Sequence, residues 1–337
     1  MAANRRVTVF GAYGHTGRFV VSELRRRGWL PTLSGRNAAK LSALGAAQGG
    51  LEVRPALLED AASLDRALES SAAVINCAGP FLDTAVPVIA AALRARIPYL
   101  DVTAEQPAAL LASERFSAAA QAASVVIMPA VGFYGGLADL LATAAMDDWK
   151  SADEIHIAVA LDSWHPTPGT RLTGRRNTAQ RMIVANGRLE PLADPPRTRT
   201  WQFPPPFGTQ EVVALPLSEI ITISRHLRSS AVDSYMNLAP LQDLRNPDTP
   251  PPVPADASGR SSQIFVMDVM VQKGNDIRRL TARGVDIYAF TAPLIVEAME
   301  RLVSGRHERA GVLTAGEVFD AKDFLAAMTP WLDITPI

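Results

Sequence analysis

The sequence predicts an α/β protein: a doubly wound parallel sheet, followed by a second α+β domain whose sheet is mainly antiparallel. Three observations predict it. Over the first 150 residues, short apolar runs alternate with segments of helical periodicity. The first of those runs ends in a glycine-rich turn, and after Lys150 the texture changes to strand-like alternation of apolar and polar residues. Strands separated by helices pair in parallel through crossovers and are covered on both faces, whereas alternating strands expose one face. At 337 residues the chain exceeds what one core usually organises, which agrees with two domains.

The elements follow in order. Val7–Phe10 (VTVF) runs straight into Gly11 and reads as a buried strand. His15–Arg27 has Phe19, Val20 and Leu24 on one side, arginines in its last turn where they complement the helix dipole, and Gly28 as a stop. Strands then fall at Leu30–Ser34, Leu51–Arg54, Ala73–Asn76, Tyr99–Val102 and Ser124–Met128, with helices at Ala38–Ala47, Ala61–Glu69, Ala85–Arg94 and Ala108–Ala122. Beyond Lys150, Glu154–Leu161, Gln263–Val271 and Ile277–Asp286 read as half-exposed strands. The proline-rich pieces Pro191–Pro206 and Asn246–Pro254 read as surface loops. Ile287–Val303 is a long amphipathic helix and Lys322–Met328 a short one. The expected organisation is a dinucleotide-binding domain over 1–150, with the helices of 287–337 packing back on it, and a substrate and dimerisation domain over 151–286.

Composition narrows the function classes. A formal net charge of −1, with 48% hydrophobic and 20% charged residues, gives no reason to expect a nucleic-acid or membrane partner. The single cysteine, Cys77, forms no intramolecular disulfide and is too little for a structural zinc site, so no metal is expected and a reducing compartment, the cytoplasm, fits. Met1–Arg6 has no long apolar stretch behind it, and no signal peptide is expected. The uncharged stretch Phe116–Ala138 is broken by Pro129, Gly132, Gly135 and Gly136, so it reads as a helix end, a buried strand and a glycine loop rather than a membrane span.

The glycine turn reads Gly11-Ala12-Tyr13-Gly14-His15-Thr16-Gly17, a G-x-x-G-x-x-G spacing between a strand and a helix. Gly11 allows the turn off the strand, Gly14 lets a pyrophosphate approach the backbone, and Gly17 lets the helix sit close to the sheet. This is the Rossmann arrangement, and it makes Gly11, Tyr13, Gly14, His15, Thr16 and Gly17 the candidate cofactor-binding residues of the turn. The second strand ends in Ser34-Gly35-Arg36 without the acid that accepts from the ribose hydroxyls of NAD. Arg36, helped by Ser34 and Lys40, suits a 2′-phosphate instead, so NADP (NADPH) is favoured over NAD.

Three further loops lie at carboxyl ends of strands, where ligands bind in such sheets. Cys77-Ala78-Gly79-Pro80-Phe81 is expected to line the cofactor, with Cys77 a small buried residue rather than a nucleophile. In Tyr99–Glu105, Asp101 and Glu105 are candidates to orient substrate or relay a proton, or to cap the helix that starts near Pro107. Pro129–Gly136 places Tyr134 beside a nicotinamide, or serves as an interdomain hinge.

Together the motifs GAYGHTGRFV, SGRNAAKL, INCAGPF, YLDVTAE and MPAVGFYGGLADL resemble the saccharopine dehydrogenase-like family, which includes the trans-acting enoyl reductases. GVDIYAFTAPLIVEAMERL and GVLTAGEVFDAKDFL extend the resemblance in patches, and Pro168-Gly169-Thr170 sits where members have Gly-Gly-Thr. The resemblance implies a Rossmann domain, a second α+β domain and hydride transfer involving a nicotinamide cofactor, on acceptors that range from imines and carbonyls to polyketide-derived enoyl groups. Ala104 replaces a common glycine, and Tyr134-Gly135-Gly136 stands where many members have Asp-x-x-Pro, so the resemblance implies no particular substrate.

The resulting expectation is an NADP(H)-dependent reductase, a homodimer, acting on a small or carrier-borne metabolite. Candidate proton donors are Tyr134, Asp101, Tyr99 and His165, and Arg171, Arg175 and Arg176 are candidates to hold a substrate carboxylate or phosphate. The acceptor is expected between the domains, walled by Phe81, Asp101, Tyr134 and residues near Trp164. The competing reading is a non-catalytic NADP sensor or an accessory partner of a biosynthetic complex. The Tyr-x-x-x-Lys pair of short-chain dehydrogenases is absent from the sequence, which counts against an epimerase or dehydratase of that type.

Overall fold

A computed structural model describes residues 5–305 and 309–336. Residues 1–4, part of the amino-terminal expectation, and 306–308 and 337, part of the domain expectation, lie outside the described residues. The chain divides into two units, one running to Gly132 and including Thr291–Thr314, the other comprising Phe133–Phe290 and the residues from Ala315 onward.

Along the chain, the first unit contains β1 (Arg6–Phe10), α1 (His15–Arg26), β2 (Leu30–Gly35), α2 (Ala38–Ala47), β3 (Val53–Pro55), α3 (Ala61–Leu68), β4 (Ala73–Asn76), α4 (Phe81–Ala95), β5 (Tyr99–Asp101), α5 (Gln106–Ala123) and β6 (Val126–Met128). The second opens with a π-helical turn (Phe133–Leu137) and α6 (Ala138–Met146). It continues with β7 (Ala152–Leu161), α7 (Pro168–Arg176), β8 (Met182–Ala185), β9 (Arg188–Pro191), β10 (Thr198–Gln202), β11 (Thr209–Ala214), α8 (Ser218–Ser224), β12 (Ser229–Asn237), α9 (Leu238–Arg245), β13 (Ile264–Lys273) and β14 (Asp276–Val285). α10 (Ile287–Val303) begins in the second unit and continues into the first. β15 (Gly311–Val312) belongs to the first, and α11 (Ala315–Val318), α12 (Ala321–Ala327) and β16 (Asp333–Pro336) to the second.

The first sheet is parallel throughout, with order β15-β6-β5-β4-β1-β2-β3. Its strands are short apolar runs whose residues Val7, Val9, Leu33, Ile75, Leu100 and Ile127 are fully buried, as a sheet covered on both faces requires. The sequence pattern gives six of these strands. The seventh, β15, is two residues long and owes its place to pairing with β6, with Gly311 N donating to Val125 O and Leu313 N to Ile127 O. The part of α10 in this unit is fastened to the end of α1. Arg27 reaches Glu297 and Glu300, each at 2.6 Å, and Trp29 Nε1 donates to Glu300 at 2.7 Å.

The second sheet has the order β10-β11-β12-β7-β13-β14-β16, with β8 beside β12 and β9 beside β8. Its pairings are antiparallel except between β12 and β7. Sequence alternation locates β7, β13 and β14, the long central strands. It does not locate β8, β9, β11, β12 or β16, whose residues lie nearer the sheet margin or are mixed in character. One expectation is corrected: Pro191–Pro206 is not loop throughout, because Thr198–Gln202 between its prolines pairs with β11 as an edge strand, where Pro does least harm. The unit division also departs from the expected one. It falls at Gly132/Phe133 rather than near Lys150, and residues from Ala315 group with the second unit, where β16 pairs with β14.

The π turn and α6 are anchored by a buried carboxylate. Asp139 Oδ2 accepts from Gly316 N at 2.7 Å and Oδ1 lies 2.6 Å from His226 Nε2. Burial works to lower the His226 pKa, but the Asp139 charge and hydrogen bond outweigh it and raise it above the usual 6.5. A raised histidine pKa contributes stability that is complete below the unfolded value and is lost as pH rises through the folded one. Unfolding free energy should therefore fall as pH rises above 6.5, and urea titrations across that range should show the slope flattened in His226→Gln. An unchanged slope in the variant would assign the pH dependence elsewhere. Among the described residues no helix is long and apolar enough to cross a membrane, and no group of three or more His, Cys, Asp or Glu side chains could hold a metal.

Candidate functional site

In the first unit, the glycine turn, the end of β2 and the loop after β4 converge on Gly11. Its N–H donates to Ser34 O at 2.8 Å, and its φ of +83° is one that residues with a Cβ rarely adopt. A Cβ there would also lie 2.8 Å from Ala78 N. Gly17 makes the second close approach: a Cβ would stand 2.3 Å from Gly11 O, so α1 begins where only glycine fits. Gly14 is the N-cap of α1, with no side chain capping the helix. Asn37 caps α2 and Asp60 caps α3, and the amides of Phe81 and Leu82 at the start of α4 are taken by the Glu105 carboxylate, at 2.7 and 3.4 Å. The first-turn amides of α1 thus keep their positive end for an anion, whereas α4 has a carboxylate of the protein in that place.

The adenosine end of such a site lies beside β2. Ser34 Oγ is buried and has no hydrogen-bond partner. Gly35 lets the Tyr13 ring close in, with Cε1 3.2 Å from where a Cβ would be, and Lys40 Nζ sits 5.8 Å from the Tyr13 ring centroid. Arg36 is exposed, and no carboxylate occurs between Ser34 and Lys40. His15 packs edge-on against Phe19 at 5.3 Å, and Thr16 beside it is half-buried. A buried unpartnered hydroxyl, two cations and an uncapped helix start behind three glycines fit a phosphorylated dinucleotide.

The loop after β4 is shaped by Asn76, whose Oδ1 accepts from Ala78 N at 3.0 Å while Nδ2 donates to Thr84 and Tyr99, each at 3.1 Å. Cys77, Ala78 and Gly79 are half-exposed there, Pro80 and Phe81 buried, and the Gly79–Pro80 peptide is cis. Cys77 is thus only partly buried, short of the buried residue expected, but desolvation of its sulfur, aided by the nearby Asp101 charge, pushes the thiol well above its usual range and keeps it un-ionised. Asn76 stands in the quoted INCAGPF motif, but no local pattern reveals that its side chain organises the loop.

Asp101 is buried with three donors on it: Tyr99 OH at 2.8 Å and Thr103 N at 3.0 Å, then Ala130 N at 2.8 Å. Val131 N donates to its carbonyl at 2.7 Å, so the residue ties the loop after β5 to that after β6. Burial raises its carboxyl pKa against these hydrogen bonds, and Tyr99, buried beside it, is held far above 10. Glu105 is a correction to the sequence reading in one respect. Its carboxylate caps the neighbouring helix α4, and not α5, whose N-cap it occupies without a side-chain hydrogen bond.

In the second unit Tyr134 lies in the π turn, its ring 6.0 Å from that of Trp164, and its buried hydroxyl has no hydrogen-bond partner. Burial raises its pKa well above 10, reinforced by Tyr288 and Glu219, so the phenol keeps its proton. Trp164 Nε1 donates to Tyr288 OH at 2.9 Å, and that hydroxyl is also 2.9 Å from Thr170. His165 lines a small cavity of about 90 Å³ with Tyr288, Gln263 and three serines. The structure therefore gathers Tyr134, Trp164, Thr170 and Tyr288, of which Tyr288 carries no sequence signal beyond its place at a helix start. Arg171 and Arg175 line a second, larger cavity; Arg176 is exposed on α7.

Comparisons with known proteins bear on this geometry. Residues 7–128 match the family described as saccharopine dehydrogenase NADP binding domain. Among solved structures, the apo histidine-tagged saccharopine dehydrogenase (L-Glu forming) from Saccharomyces cerevisiae is similar over 99% of this chain and 100% of its own, with 12% identity and a TM-score of 0.65. GenD2 from gentamicin A biosynthesis, in complex with NAD, aligns over 98% of this chain and 92% of its own, with 14% identity and a TM-score of 0.46. A sequence search of curated proteins finds no match. Residues 7–128 thus match a saccharopine dehydrogenase NADP-binding domain, and the chain has a fold like that of saccharopine dehydrogenase.

Proposed function

We propose that this protein is an NADP(H)-dependent reductase of an imine, carbonyl or enoyl group on a small or carrier-borne metabolite. The observation that carries the choice of cofactor is the end of β2, where Ser34 Oγ is buried without a partner beside exposed Arg36 and Lys40, and where no carboxylate stands to meet a ribose hydroxyl. Gly11, Gly14 and Gly17 bring the backbone close to the pyrophosphate, and the amides of His15 and Thr16 face it. Arg36 pairs with the 2′-phosphate, Ser34 completes its hydrogen bonding, and Tyr13 with Lys40 flanks the adenine. Ala78 and Gly79 form the wall after β4. When bound, the nicotinamide supplies the hydride.

The proton belongs to the chain. Tyr134 is the donor this reading favours: its phenol is buried, protonated and not yet engaged in a hydrogen bond. Asp101 is committed to three donors and acts here by holding its loop. Titration of NADPH and NADH by nicotinamide fluorescence tests the cofactor assignment. NADPH should bind more tightly, and Arg36→Ala should weaken it by about 1.5–3 kcal/mol, the range for hydrogen bonds to a charged group, while barely affecting NADH. Equal affinities of the unmodified protein for the two cofactors would sink the assignment.

A further inference from the structure

The second unit holds an open cavity of about 660 Å³, inside the roughly 300–1,000 Å³ span of small-molecule sites. It is walled by α7, the residues at the start of β8, β11 and α9, together with the chain that follows α9. Four arginines line it, Arg171, Arg175, Arg181 and Arg245, and no carboxylate does. The rest of the lining is largely apolar and includes Leu192, Leu215, Leu241 and Leu244.

The arginines differ in what they already do. Arg171 donates to Asn246 O at 3.1 Å and Thr249 O at 2.7 Å, which fastens the rim to α7. Arg181 is half-buried and spends one N–H on Pro216 O at 2.8 Å. Burial lowers its pKa, with the attraction of Glu219 opposing, so a further negative charge beside it is favourable. Arg175 and Arg245 are exposed and have no hydrogen-bond or ion-pair partner among the described residues. Solvated surface arginines need no common focus. Here they converge on one concavity whose remaining wall is leucine, valine, alanine, proline and one glycine, a pairing that suits neither a bare inorganic anion nor a neutral apolar molecule.

We infer that this cavity binds an amphipathic organic anion, with a carboxylate or phosphate head held by Arg175, Arg181 and Arg245 and an apolar body against Leu192, Leu215, Leu241 and Leu244. Guanidinium forks bind both kinds of head in bidentate fashion, so the shared chemistry is a planar or tetrahedral oxyanion carried on hydrocarbon. The site lies within the second unit and is independent of the cofactor assignment.

Calorimetric titration of the full chain with octyl phosphate, octanoate, octyl glucoside and inorganic phosphate tests the inference, with and without saturating NADPH. Octyl phosphate or octanoate should saturate one site that NADPH does not displace. Octyl glucoside and inorganic phosphate should bind at least about tenfold more weakly, as loss of charge-assisted hydrogen bonds or of the apolar contact demands. The double variant Arg175→Glu/Arg245→Glu changes only exposed side chains; it should keep the thermal unfolding temperature and lose at least about tenfold in affinity for both anionic amphiphiles. Failure of both amphiphiles to bind, displacement by NADPH, equal binding of octyl glucoside or inorganic phosphate, or unchanged affinity in the folded double variant would each overturn it. A preference between octyl phosphate and octanoate identifies the head group.

Discussion

Asp101→Ala should lower the unfolding free energy by about 3–4 kcal/mol, because it strands several buried donors at once. Tyr99 OH, Thr103 N and Ala130 N all end on the Asp101 carboxylate, and Tyr99 and Asp101 are both buried, so water does not replace the lost acceptor. Each orphaned buried group costs about 1–3 kcal/mol, but the three share one loop junction and their costs do not simply add. Ala130 is also held at φ +62°, a conformation uncommon outside glycine, and the hydrogen bond from its N–H to Asp101 helps keep it there. Asp101→Asn preserves the shape. Its oxygen still accepts from the backbone, and the Tyr99 hydroxyl can turn to accept from the new amide, so a loss of about 1 kcal/mol is expected. Chemical denaturation of the two variants gives the comparison. An alanine variant as stable as the parent would remove the bracing role, and an asparagine variant that keeps its stability but loses turnover would return Asp101 to the chemistry.

Gly14→Val should abolish NADPH binding while leaving a folded protein, and Gly17→Ala should do nearly the reverse. The two glycines are one turn apart and are needed for different reasons. At Gly14 the backbone is extended, with φ −66° and ψ 166°, which any L-residue adopts, and a Cβ meets only Gly11 O, at 3.1 Å. A valine there asks Gly11 O to give by a few tenths of an ångström, much less than at Gly17, and fills the space proposed for the pyrophosphate. At Gly17 a Cβ would be 2.3 Å from Gly11 O and 3.0 Å from Ala12 Cα, both backbone atoms that cannot swing aside. Even alanine must push α1 from the turn, and about 2–3 kcal/mol of destabilisation is expected, the upper part of the range for overpacking. Fluorescence titration with NADPH and thermal unfolding, run on both variants, separate the effects. Normal NADPH affinity in Gly14→Val would show that the phosphates are not bound at this turn.

What the sequence determined by itself was whatever depends on neighbours along the chain. The parallel strands from Val7 to Met128 are apolar runs between helical segments, so their period and their glycine stops announce them. The turn from Gly11 to Gly17 is legible because its requirements, a positive φ and two close approaches, are met by one residue type. Long strands such as β13, and α10 with its limits at Ile287 and Val303, are equally plain, since ten or more residues of one periodicity leave little room for another reading.

The tertiary structure decided whatever depends on a partner distant in sequence. Glu105 caps a helix that begins 24 residues before it, although its own position invites a local cap. β15 is too short to show any period and is a strand only because β6 offers a free edge. Asp139 and His226 are 87 residues apart, and nothing in either segment marks them as a pair. The arginine-lined cavity draws on α7, β11 and α9, so its charge and its apolar wall become one site only after those elements pack. Local propensity acts over a few residues through the backbone, whereas a buried hydrogen bond, an edge pairing or a cavity wall is chosen by whichever group the completed fold brings within reach.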